Sequence, residues 1–402
     1  SVGFSLTGLQ YPSPLVSPNG VDGNDGANVP FATATGYLIR TPYNHPTAPT
    51  VFEGTFTGRP INGSLNKPVF KSNFGNNAIG NPYPSPIDLS SFVKMNQLLN
   101  ISKVFVWTHS KPIVNGEFNG NNWAVYNPTL GWDDPSITSN ILDVGQGFIV
   151  QIQNQGPIIF HNSIRVAPSG NTPIISYKNQ TEDDKFWLSL TNESMILNST
   201  LIAYKEGSTK EYESNFDSEP MQVYPGIYSL IKDKEMSIQG RGNQFDLDDR
   251  FGLAVKFLTP GNYTIKRAKT NGLFSQEQSI YLIDNETKSY TDLSKEDYHF
   301  ISDKGYYKNR FEIIYNSALL STNELDKVNG VDIYTKESTV VIKSNEKLKS
   351  VKIYDLDGKL IKLVTNLNTL ETAIQTNAKG QVLVVWVELI NGTNTSKKII
   401  IK

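Results

Sequence analysis

The chain has 402 residues, no cysteine, four histidines and a formal charge of −2. A chain this long can bury more than one core, but it has no disulfide framework, no thiolate nucleophile and no zinc-thiolate site. The near-neutral balance lacks the basic stripe that nucleic-acid binding needs, so no nucleic-acid partner is expected. Charged residues make up only 19%, while Gly (30), Pro (21), Tyr (19) and Phe (19) are plentiful, and this composition favours strands and tight turns.

No run of 18 apolar residues and no cationic-apolar leader occurs, and the first residue is Ser1. The expectation is a C-terminal portion of a longer precursor. In chain order, residues 1–170 form a near-neutral, Asn-, Thr- and Gly-rich segment. Two stretches in it read as related hairpins: 36–40 with 51–58, and 145–151 with 158–162. Between them, Pro82, Pro84 and Pro86 predict a rigid corner rather than a central strand. Residues 89–99 then carry Phe92, Met95, Leu98 and Leu99 at helical spacing, with Ser90 or Ser91 as cap. Asp88 reads as a local cap or turn acceptor rather than a ligand.

Charge density rises over residues 171–325, where nine short strands punctuated by Pro-Gly, Gly-Asn and Asn-Gly predict a β-sandwich. Residues 326–402 are basic. Within them, Val351 to Lys362 alternates with period two around Asp357-Gly358, a hairpin signal. Val382 to Val387 is an almost unbroken apolar run and reads as a strand buried on both faces. Asn391-Gly392 makes another turn, and Lys397-Lys398-Ile399-Ile400-Ile401-Lys402 a last strand.

This order of a VKIYDLDGKLIK strand, a polar stretch with Asn366 and Asn368, an apolar strand, an Asn-Gly turn and a terminal KKIIIK resembles the C-terminal sorting domains of the type IX secretion system of Bacteroidota. The run from Phe186-Trp187-Leu188-Ser189-Leu190 through Gln239-Gly240-Arg241 to Phe311-Glu312-Ile313-Ile314-Tyr315 is similar to the region that precedes the type C variety, so the resemblance covers 177–402. The absence over 331–342 of the Tyr-Pro-Asn-Pro stretch of other types favours type C over type A. Upstream, GNPYPSPID, WAVYN and GQGFIV resemble a module that often precedes sorting domains in such cargo. The resemblance implies an all-β chain of tandem β-sandwich domains: a stalk or jelly-roll-like module over 1–170, a sandwich over 171–325 and a small Ig-like sorting domain over 326–402. It also implies a secreted or cell-surface protein without enzymatic activity. Its partners would be the type IX translocon and an outer-membrane shuttle β-barrel, with surface glycan or lipopolysaccharide as further contacts.

In that resemblance the recognition residues are Tyr354, Asp355, Gly358, Lys359, Gly392, Lys397, Lys398, Ile399, Ile400, Ile401 and Lys402. The same lysines also read as edge protection against aggregation. Trp123 and Trp132, in Asn- and Gly-rich loops, suggest a platform on which sugar rings stack, so the alternative function is a carbohydrate-binding module. Asp22, Asn24 and Asp25 place oxygen ligands at a Gly-containing turn, as Asp246, Asp248 and Asp249 do further on. Both suggest calcium, although Asp, Asn and Gly are also plain turn formers. His45, His109, His161 and His299 have no metal-ligand spacing, and no catalytic motif is found.

Overall fold

A computed structural model describes residues 32–37, 59–72, 74–167, 183–193, 195–276, 278–316, 331–336, 338–355, 358–376, 378 and 381–401. The fold is all-β, and the described residues hold one α-helix, Leu89–Met95, and three short 3-10 segments. They divide into two compact units, Ser1–Tyr315 and Asn316–Lys402.

In the first unit, Ile101–Trp107 is buried at every position because both faces of its sheet are covered. Val104 and Val106 enter one core with Phe92, Phe148 and Phe160. Phe105 and Trp107 enter another with Trp123, Trp187, Leu201 and Ile238. That second core joins residues on both sides of position 170, so the boundary expected there falls inside one unit.

The stretches 145–151 and 158–162 do not pair as a hairpin. Gly147–Ile152 lies between Asn76–Gly80 and Ile101–Trp107, whereas Gly156–Phe160 pairs with Leu65–Val69. The turn between them is drawn elsewhere: the Gln153 and Asn154 amides both donate to the Leu99 carbonyl, at 3.1 and 3.0 Å. The other expected pair, 36–40 with 51–58, lies mostly outside the described residues. The proline corner is in place. Asn81 holds it by donating from Nδ2 to the Ser85 and Asp143 carbonyls at 2.9 and 3.1 Å. Asp88 rather than Ser90 or Ser91 caps the helix, with Oδ1 accepting the Ser91 amide at 2.7 Å.

Downstream, a five-stranded sheet centred on Asp184–Asn192 and a six-stranded sheet centred on Arg250–Phe257 and Gly305–Ile314 share one core. Phe186, Leu188 and Leu190 come from the first sheet, and Leu253, Val255, Phe311 and Ile313 from the second. Ser289–Asp292 adds an edge strand that the period-two reading missed.

The second unit is built on two long strands, Thr339–Tyr354 and Leu360–Gln375. The early part of the first pairs with Val331–Lys336 and its later part with Gln381–Leu389, and the terminal strand Asn394–Ile401 follows. Register shifts between Lys343 and Ser350 mark the change of partner. Opposite them, Asn366 and Asn368 take positive φ of 58° and 47°, a bulge that short amide side chains tolerate. Gln381–Leu389 is buried on one face only. Leu383, Val385, Val387 and Leu389 are in the core, but Val382, Val384 and Trp386 are half-buried, which corrects the reading of a strand covered on both faces.

Candidate functional site

The turns that close the second unit are made by local chemistry. The Asp355 amide donates to the Lys359 carbonyl at 3.0 Å, the Lys359 amide donates to Asp355 Oδ1 at 2.8 Å, and the Gly358 amide donates to the Asp355 carbonyl at 3.2 Å. At the second turn the Leu389 amide donates to the Thr393 carbonyl at 2.8 Å, and Asn391 Oδ1 accepts the Thr393 amide at 2.9 Å. Gly358 and Gly392 have φ of +80° and +86°, where a Cβ is strained.

Register then decides which residues meet. Tyr354 faces Leu360 on one side and Val384 on the other, and Val384 faces Lys398. One row along, Lys352 lies between Leu363 and Trp386, and Trp386 faces Ser396. Tyr354, Asp355, Gly358 and Lys359 therefore share one end of the sheet with Lys398 and Ile401, while Gly392 lies at the opposite end.

The side of the sheet away from the core mixes apolar and cationic groups. Leu360 and Leu363 are 46% and 48% exposed beside half-buried Tyr354, Val384 and Trp386. Lys352 Nζ lies 4.7 Å from the Trp386 ring centroid, so its stem covers apolar surface while its charge faces the ring. Lys359 and Lys398 are exposed at the same end. At the Gly392 end, Glu388 accepts from Lys349 Nζ at 2.7 Å and Ser350 Oγ at 3.0 Å, and the Lys349 bond holds its carboxyl below the usual range. Lys352, Leu363 and Trp386 were not singled out from sequence. Their signal was the alternation Lys352/Tyr354 and Val384/Trp386, hidden inside an apolar run.

Of the expected recognition residues, Ile399 and Ile401 are core residues, Lys397 is half-buried and Lys398 is exposed. Lys402 and the side chain of Ile400 lie outside the described residues. Trp123 and Trp132 form no sugar platform, being 3% and 8% exposed. Trp123 packs edge-on against Trp107 at 5.1 Å, and the Trp132 carbonyl accepts Trp187 Nε1–H at 2.9 Å.

Asp22, Asn24 and Asp25 lie outside the described residues. The acidic turn at 246–249 is not a calcium loop, because the Asp246 and Asp249 carboxylates already serve cations. Asp249 is buried and accepts from Arg241 Nη2 at 2.6 Å and from the Tyr204 hydroxyl at 2.8 Å, and Asp246 pairs with Lys210 at 3.0 Å. Among the described residues no group of carboxylates and imidazoles could hold a metal ion. His161 Nδ1 accepts the Ser163 amide, and His299 bonds Thr264 Oγ1. His45 lies outside the described residues.

Residues 12–315 match the family described as Domain of unknown function (DUF8693), and residues 320–401 match a second, Domain of unknown function (DUF8694). No curated protein is significantly similar to the chain. Among solved structures, a "Biofilm associated protein - BSP domain" is 11% identical with a TM-score of 0.17, covering 87% of this chain and 68% of its own. "Tp47, the 47-Kilodalton Lipoprotein of Treponema pallidum" is 9% identical with a TM-score of 0.14, covering 74% and 76%. At such scores neither likeness bears on function.

Proposed function

The chain belongs to the DUF8693 family, whose description assigns no activity, and we propose that it is the C-terminal region of a type IX secretion cargo. In this reading the second unit is the signal read by the outer-membrane translocon and its shuttle β-barrel. The first unit serves as stalk or adhesive surface on the outside of the cell. The work is recognition, with no chemical step.

One observation carries the reading. The Leu360–Tyr354–Val384–Lys398 row brings the hairpin turn, the end of the strand Asn394–Ile401 and a half-exposed apolar face flanked by lysines to one end of a small sheet. A face of this kind fits a partner that supplies apolar contact and acidic groups.

Deleting residues 397–402 is an ambiguous test, since it removes Ile399 and Ile401 from the core. The test is therefore surface delivery and outer-membrane pull-down of the full chain beside Lys398→Glu with Tyr354→Ser, which leaves the core intact. Loss of delivery and of a recovered β-barrel, with an unchanged melting midpoint, supports the reading. Normal delivery of the double variant overturns it.

A further inference from the structure

In the first unit, a groove of ≈ 500 Å³ lies over the six-stranded sheet, within the roughly 300–1,000 Å³ range of small-molecule sites. Its floor is Gly252, which pairs with Glu312 on the neighbouring strand. The atoms nearest to a Cβ at Gly252 would be Leu230 Cδ1 at 3.4 Å and the Lys308 and Phe311 carbonyl oxygens at 3.9 Å. These are ordinary van der Waals distances, so a side chain fits here without a clash, and its absence leaves depth in the sheet.

Five cations line the groove, Lys210, Lys232, Arg241, Arg250 and Lys308, against one carboxylate, Glu312. The acids that pair with the lysines and Arg241 stand outside the lining: Glu211 with Lys232 at 2.6 Å, Asp249 with Arg241 at 2.6 Å, Asp246 and Asp249 with Lys210 at 3.0 and 2.9 Å, and Glu235 with Lys308 at 2.6 Å. Each of the five cations is matched by an acid, and of those acids only Glu312, the partner of Arg250, lines the groove. The Lys232–Glu211 pair is 75% and 67% exposed. Such pairs are worth about 0–1 kcal/mol, so an incoming anion can take the place of Glu211 at little cost. Arg241, buried on Asp249, is held fixed.

The remaining lining selects among anions. Leu230, Phe251 and Phe311 are 9%, 5% and 1% exposed, so no apolar anchor is offered to a peptide side chain. Asn285 and Asn309 line the groove with amide groups, and Arg250 and Glu312 form a two-bond pair at 2.7 and 2.8 Å beside Gly252. Amides, a guanidinium and a carboxylate match the hydroxyls of a sugar, and Lys232, once released from Glu211, matches its charge. We propose that this groove binds a saccharide bearing carboxylate or phosphate groups. The site is independent of the recognition role proposed for the second unit.

The experiment is calorimetric titration of the full chain with tri-galacturonate, with mannose 6-phosphate and with uncharged galactotriose. The expected result is at least ten-fold tighter binding of one charged sugar than of the neutral one, weakening as salt is raised. Lys232→Glu, at an exposed position, and Gly252→Leu, which fills the floor without changing charge, should each lower that affinity ten-fold or more. Binding of tri-galacturonate alone assigns the carboxylate, and of mannose 6-phosphate alone the phosphate. Absence of binding to both charged sugars, equal binding of the neutral sugar, or wild-type affinity in both variants overturns the proposal.

Discussion

Lys103 Nζ donates to Glu219 Oε2 at 2.8 Å, and the lysine side chain is only 1% exposed. The contact ties the central strand Ile101–Trp107 to a loop more than a hundred residues downstream. Burial presses the Lys103 ammonium toward its neutral form, and the Glu219 carboxylate opposes it. Glu219→Gln leaves a buried cation without its acid, so a loss of about 2–3 kcal/mol is expected, below the full buried-pair figure because Glu219 is partly exposed. Lys103→Met combined with Glu219→Gln should recover most of it. Urea unfolding followed by tryptophan fluorescence checks both.

Trp123→Ala should cost about 3–5 kcal/mol in the first unit, because it opens a cavity among Phe105, Trp107 and Trp187. Sugar binding, where it is measured, should follow Lys232 and not this tryptophan. A thermal melt of the variant beside a binding titration separates the two roles.

Asp217 is fully buried, and burial pushes its carboxyl up to about 7, against the opposing amides of Glu213 and Gly240 at 2.6 and 2.9 Å. The folded carboxyl keeps its proton to higher pH than the unfolded one. Its contribution to stability is therefore full below about pH 4 and declines as pH rises toward 7, by up to roughly 4 kcal/mol. Asp217→Asn should flatten this slope, whatever its effect on absolute stability. Melting midpoints at pH 4.5, 6 and 7.5 decide it.

Gly358→Ala and Gly392→Ala should each cost the second unit about 1–2 kcal/mol through backbone strain alone, since nothing lies within 4 Å of either added Cβ. The first unit should melt unchanged. Calorimetry of the full chain, with two resolved transitions, reads both effects.

What was legible in the sequence is what short-range sterics decide. The two Gly-containing turns, the proline corner, the capping role open to Asp88 and most strands of the first unit follow from φ preferences and period-two alternation, which act over a few residues. The placement of Lys359 next to a turn was legible for the same reason. Its neighbourhood with Lys398 was not, because two strand registers set it.

Other features depend on which remote strands arrive. Trp123 and Trp132 sit in loop-like sequence, yet Trp187 and Leu201 close over Trp123, and Trp132 packs on Tyr126 in the other core. Val382 to Val387 reads as covered on both sides, yet only the Leu383 side has a core against it. Asp246 and Asp249 have the spacing of a calcium turn until Lys210 and Arg241 occupy them. Composition, period-two alternation and turn residues suffice for an all-β chain, its turns and its basic last unit. Tertiary structure alone decided which faces stay open and which charges are matched, because burial and ion pairing are properties of residues that are distant along the chain and adjacent in space.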